Sequence, residues 1–342
     1  MIRKATITVL GSILGLALTA DAQQMRYAPN DKRVEPGSPV EHSKRAPTRH
    51  PVRYTPGDVF VAIGSGEVEE FTPAGVLVQT LDDTTGSTYT TGMAFDTHGN
   101  LYVTNFSLGT VSEFDIDGNL VNANFISGTG QVSPESISLP GGQFPAIVGD
   151  ADLHAENGDG IISEYSSTGA LLNTWEVAFE NRGTDWSDLQ PDGHTVLYTS
   201  EGPSILSYDI ATNTQNPDYF TGLPGAYSYA HRTLSSGQYS GDDLVADSSL
   251  AALVAMNGPI LQMYNLPGNS GADFALNLDQ NGTAFWTADL DSGEVWEVDI
   301  ATGTILQQWN SGFPGTTAGL AVFQEQGHGV GPCSNQNDPN CL

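Results

Sequence analysis

The 342-residue chain carries 40 Asp and Glu against 11 Lys and Arg, a formal net charge of −29. The charge is partitioned: nine of the basic residues lie at or before Arg53, and from Tyr54 onward 36 acidic residues face only Arg182 and Arg232, a formal charge of −34 with no lysine. Such a surface repels phosphate backbones, which excludes nucleic-acid binding by this part of the chain, and it favours a soluble monomer that attracts divalent cations.

Residues 1–22 have the layout of a secretory signal, with Arg3 and Lys4, an apolar run from Ile7 through Ala20, and a small-residue ending before a cleavage point after Ala22. The apolar run is shorter than the roughly 20 residues a bilayer crossing needs, and no second candidate follows, so no membrane span is expected. The chain is therefore expected outside the cytoplasm, secreted or periplasmic. Residues 23–53 are rich in Pro, Arg, Lys and Ser with few large apolar groups, and read as a disordered basic leader. This leader is either a spacer or an electrostatic tether.

From residue 54 a short phrase returns six times, at 66–71, 109–114, 160–165, 203–208, 252–256 and 293–298. Each copy alternates apolar and polar residues toward an aromatic or apolar end, and successive ends are 43, 51, 43, 48 and 42 residues apart. A period of about 40–50 residues with strand-like alternation is the signature of a β-propeller blade. Since one such unit cannot bury its apolar faces alone, six of them are expected to form one cooperative body over residues 54–326.

Within the second unit, residues 92–96 read as the inner strand, 101–104 as the second, 110–114 as the third and 119–125 as the outer edge, with turn glycines and asparagines between them. The other second strands are predicted at 59–62, 146–148, 196–199, 244–246 and 284–287. The first unit lacks an inner strand of its own. Residues 319–323 match the pattern of 92–95, so pairing them beside 59–62 is expected to close the ring and leave no exposed edge. Beyond residue 326, Cys333 and Cys341 enclose a polar loop that suits an extracellular disulfide.

Met93-Ala94-Phe95-Asp96-Thr97-His98-Gly99-Asn100-Leu101-Tyr102-Val103-Thr104-Asn105, followed by Thr110-Val111-Ser112-Glu113-Phe114-Asp115-Ile116-Asp117-Gly118, resembles the repeat of NHL-type propellers and of the wider group of gluconolactonases, regucalcin and virginiamycin B lyase. The resemblance implies an all-β, six-bladed propeller. It points to no single activity, because that superfamily holds binding modules, lactonases and lyases.

Repeat alignment brings Asn105, Asp150, Glu201, Asp247 and Asp289 to the ends of second strands, and Glu135, Asp185, Asp188, His231, Arg232 and Asp273 to the inner strands or just ahead of them. So many carboxylates near one axis would repel unless a cation, buried water or raised pKa relieved them, and Ca²⁺ or Mg²⁺ held by Asn105, Glu201, Asp247 and Asp289 is the natural occupant. Aligned acids also arise simply because Asp suits the turn after a strand. Glu135, Asp185, Asp188 and Asp273 would line a ligand funnel, with His231 as acid or base and Arg232 as an anion anchor. The resemblance implies that metal-dependent lactonases draw Glu, Asn and Asp from different blades; here the early Glu has no match at Thr55-Pro56-Gly57-Asp58. The acidic run from Asp150 to Gly160 is either an ion loop or a solvated insertion. Two functions remain open. One is a binding or scaffold module for a small molecule, polymer or protein at the propeller face; the other is a metal-dependent hydrolase or lyase acting on a small ester, lactone or sugar acid.

Overall fold

The computed structural model describes residues 51–128, 132–151 and 160–326. The signal segment, most of the basic leader, the centre of the acidic run at 150–160 and the tail with both cysteines lie outside the described residues.

Six antiparallel sheets follow one another along the chain as the blades of a propeller. The first is built of Gly319–Val322, Val59–Gly64, Glu67–Phe71 and Leu77–Asp82, and the second of Met93–Phe95, Leu101–Asn105, Thr110–Phe114 and Leu120–Ile126. The third holds Pro134–Ser138, Ala146–Asp150, Gly160–Tyr165 and Leu171–Val177. Blade four runs through Ser187–Leu189, Thr195–Tyr198 and Ser204–Asp209. Blade five has Ser228–Thr233, Asp243–Asp247, Ala251–Val254 and Ile260–Tyr264, and blade six Asp273–Leu278, Ala284–Asp289, Glu294–Asp299 and Ile305–Asn310.

The pattern of burial explains the strand order. Inner and second strands such as Asp273–Leu278 and Ala284–Asp289 are buried throughout: the second strand is flanked on both sides in its sheet, and the inner one pairs with it and packs against the neighbouring blades around the axis. Outer strands such as Leu171–Val177 expose most of their residues.

The ring closes as the sequence predicts, with Val59 opposite Val322, Phe60 opposite Ala321, Val61 opposite Leu320 and Ala62 opposite Gly319. Gly319 must be glycine there, since a Cβ would fall 1.8 Å from the Thr91 carbonyl oxygen. Around the latch Tyr54, Phe60, Phe95 and Phe323 meet edge to face, with centroids 4.7 Å apart for Tyr54 and Phe60 and 5.0 Å for Phe95 and Phe323. The last strand is thus held by backbone pairing and by an aromatic cluster drawn from blades one and two.

One element departs from the sequence reading. The third strand of blade five ends at Val254, and Ala255 and Met256 belong to the following turn, where Asn257 takes φ +48° ahead of Gly258 and Pro259. In blade four the outer strand is split into Thr214–Gln215 and Phe220–Thr221, because Pro217 offers no N–H to the ladder.

Candidate functional site

Antiparallel topology gives the ring two faces. The upper face carries the loops that enter each inner strand and the turns between second and third strands; the lower face carries the remaining turns.

At the ends of the second strands on the upper face, the aspartates serve their own blades. Asp289 accepts hydrogen bonds from the Ser270 and Ala272 amides of the incoming loop (2.9 and 3.2 Å) and from the Ser292 amide of the outgoing turn (2.7 Å). Asp247 does the same with the amides of Gly225 (2.8 Å), Ser249 (2.7 Å) and Leu250 (2.9 Å), and Asp150 takes those of Val132 (2.7 Å) and Ser133 (3.2 Å). The repeated acid is a clamp that fastens the loop entering a blade to its second strand. Asn105 is wired into blade two instead, donating to Ser112 Oγ at 2.8 Å, which in turn donates to Asp83. Glu201 sits fully buried at φ +45° with Arg182 Nη1 3.6 Å from its carboxylate. Asn105, Asp247 and Asp289 thus spend polar atoms on their own blades, and among the described residues no group of three or more His, Cys, Asp or Glu side chains is placed to hold one metal ion.

Further in, the axis is filled. Glu135, Tyr229 and Phe274 occupy bulges at the starts of their inner strands. Tyr229 and Phe274 stack at 4.5 Å, Tyr89 meets Phe106 edge-on, and the Arg182 guanidinium lies 5.6 Å from the Phe106 centroid. These rings belong to one buried cluster with Ala151, Leu290 and Ala318, which joins residues from non-adjacent blades and therefore spans the centre. Beside it, burial first and then the Glu135 and Glu201 carboxylates push Asp185 well above the usual carboxylate range, against the pull of Arg182. Asp273 accepts from Asn269 at 2.5 Å.

Toward the lower face Arg232 is the hub. Its Nε and Nη2 donate to the two Glu325 oxygens at 3.0 and 3.1 Å, Nη2 also reaches Asn277, and Nη1 lies 3.7 Å from Asp188. Glu325 further accepts the Leu278 amide at 2.6 Å. Beside this knot is a void of about 10 Å³ lined by Met93, Phe95, Ile137, Arg232, Ala321 and Glu325 among others, about enough for one water. Arg232 ties blade five to the closing segment and is already saturated with carboxylates, which leaves it poorly suited to anchor an anion. His231 points between blades four and five. Its Nδ1 is 3.2 Å from Asp243 and its Nε2 3.2 Å from the Leu197 carbonyl oxygen. Burial acts to lower its pKa, but the Asp243 carboxylate outweighs this and the net shift is upward. With both ring nitrogens engaged inside a fully buried interface, His231 is placed as a structural link rather than as an acid or base facing a substrate.

A roomier recess lies off the axis, on the lower face between blades four and five. This groove of about 470 Å³ is lined by Pro191, Asp192, Leu197, Pro217, Asp218, Tyr219, Met256 and Asn257, among others. It exists because the split outer strand of blade four turns through Asn216 to Tyr219, and because the short third strand of blade five leaves Met256 65% exposed. Its walls are fixed: Tyr219 Oη donates to the Gly241 carbonyl at 2.6 Å, the Asn257 amide to the Tyr219 carbonyl at 2.9 Å, and Gln190 to Thr233 at 2.8 Å. Asp192 is held by the amides of His194 and Thr195 and by the Thr195 hydroxyl (2.7 Å). Burial opposes these bonds, which still keep its carboxyl below the usual range and ionised at neutral pH. Pro217 and Asn257-Gly258-Pro259 are turn residues, but Met256 reads as the end of a strand in the sequence, and nothing there tells that these segments face one another across a blade boundary.

No protein-family model and no curated protein matches the chain. Among solved structures it is similar to a chain in a nidogen/laminin complex, at 13% identity over 77% of this chain and 97% of that one with a TM-score of 0.58. A Bacteroides caccae protein of unknown function is similar at 16% identity over 78% and 98%, with a TM-score of 0.58. Virginiamycin B lyase from Staphylococcus aureus follows at 13% identity over 68% and 74%, with a TM-score of 0.48. At these identities the first two likenesses speak for the fold alone, and together with the six sheets they make the chain a six-bladed β-propeller.

Proposed function

We propose that this chain is an acidic, secreted binding module that engages a partner at its lower face, through the groove between blades four and five. One observation carries the reading: the candidate residues around the axis, where a propeller enzyme would hold its substrate, are buried and the void beside Arg232 is about 10 Å³, whereas the groove offers about 470 Å³ with fixed walls. The signal-like start and two cysteines whose spacing suits a disulfide support an extracellular setting. That one structural neighbour belongs to a nidogen/laminin complex is consistent with protein recognition. Hydrolysis or elimination on a small ester, lactone or sugar acid would need an open funnel with a free base, and the engaged nitrogens of His231 weigh against it.

The test uses arrays of peptides and of oligosaccharides probed with the full chain. Binding that Met256→Arg abolishes and Asp185→Asn leaves intact is the expected result. Hits lost on Asp185→Asn and kept on Met256→Arg would move the contact to the axis, and saturable turnover of a lactone or ester would overturn the non-catalytic reading.

A further inference from the structure

We infer that the groove takes a lysine or arginine side chain of an extended segment from a partner protein; this rests on the groove being the contact surface. Its lining includes the apolar side chains of Pro191, Pro217, Tyr219 and the exposed Met256, against which an aliphatic stem can pack, and the carboxylates of Asp192 and Asp218. Lysine and arginine pair just such a stem with a cationic head, and a carboxylate held in place by Thr195 and two amides is a ready acceptor. No lysine or arginine lines the groove, so an anionic head would meet repulsion with nothing to offset it. The body contributes only two arginines, and both are buried: Arg182 beside Glu201, and Arg232 between Glu325 and Asp188. On the described surface Arg53 pairs with Asp117 and His194 lies 3.7 Å from Asp192, so few cations of its own compete for the site. The long-range field of the acidic body adds to capture of a basic segment.

Calorimetric titration of the full chain with three acetylated and amidated hexapeptides of alternating proline tests the idea. Lysine occupies the other positions in one, norleucine in the second and glutamate in the third. The lysine peptide is expected to bind, more weakly as salt rises, and to lose roughly five- to twentyfold in affinity on Asp192→Asn with Asp218→Asn, as for the loss of two part-exposed ion pairs. The control Asp82→Asn with Glu176→Gln removes the same charge from exposed positions elsewhere and is expected to leave affinity within about twofold. Equal loss in both double variants would mean diffuse attraction to an acidic surface and would overturn the site. Binding of the norleucine or glutamate peptide as tightly as the lysine one would overturn the cationic assignment while sparing the groove, whose own failure is read on the arrays. Tighter binding after Lys44→Gln, Arg45→Gln and Arg49→Gln would mean that the chain's own basic leader fills the groove, and would overturn assignment to a partner.

Discussion

Arg232→Met is the sharpest probe of the packed axis. The substitution keeps the stem but removes the guanidinium that binds both oxygens of Glu325 and neighbours Asp188, leaving two carboxylates that are 5% and 1% exposed without their cation. Stranding buried charge in this way costs about 3–5 kcal/mol. For a body of roughly 275 residues the unfolding entropy is about 0.6 kcal/mol per degree, so the midpoint should fall by about 7 °C at pH 7. Urea unfolding at pH 7 reads the loss. A deficit below about 1 kcal/mol would refute the hub.

Three further outcomes follow from the same geometry. Asp289→Ala leaves the amides of Ser270, Ala272 and Ser292 without their acceptor and should cost about 2–3 kcal/mol in urea unfolding, with faster hydrogen exchange in the loop entering blade six. Burial, together with neighbouring Asp58, pushes Glu70 up to about 8 against the hydrogen bond from Gln79, which also holds the Val52 carbonyl. A raised carboxyl pKa favours the protonated folded form, so this pair's contribution is present below the ordinary carboxylate range and is lost as pH rises toward 8; Glu70→Gln should flatten the fall of Tm between pH 5 and 8, and an unchanged slope would contradict that assignment. Gly319→Ala should lower Tm by several degrees without altering groove binding, because its methyl group would collide with the Thr91 carbonyl.

The fold was legible in the letters because its information is local and repeated. Each blade carries its own alternation and turn residues, and the pattern shared by residues 92–95 and 319–322 was enough to place the latch, with Val59 opposite Val322. The site was less legible. Repeat alignment brought Asp150, Asp247 and Asp289 to equivalent positions, but an aligned acid signals a shared local need as readily as a shared ligand, and here the need is for loop amides. His231 lies on an inner strand, yet it turns sideways to Asp243 and the next blade, a direction set by the bulge between Ser228 and Ala230 and by packing across the blade boundary. The groove joins turns 40 residues apart, Pro217 and Asn257, whose meeting depends on tertiary packing alone.

Hydrogen exchange followed by mass spectrometry on the full chain, with and without a bound peptide found on the arrays, addresses the off-axis contact most directly. Slowed exchange at residues 190–195, 216–219 and 255–258, with none at 134–136 or 185–188, is the outcome this structure leads us to expect. Protection confined to the inner-strand starts around Glu135 and Asp185 would contradict it and return the ligand to the centre of the ring.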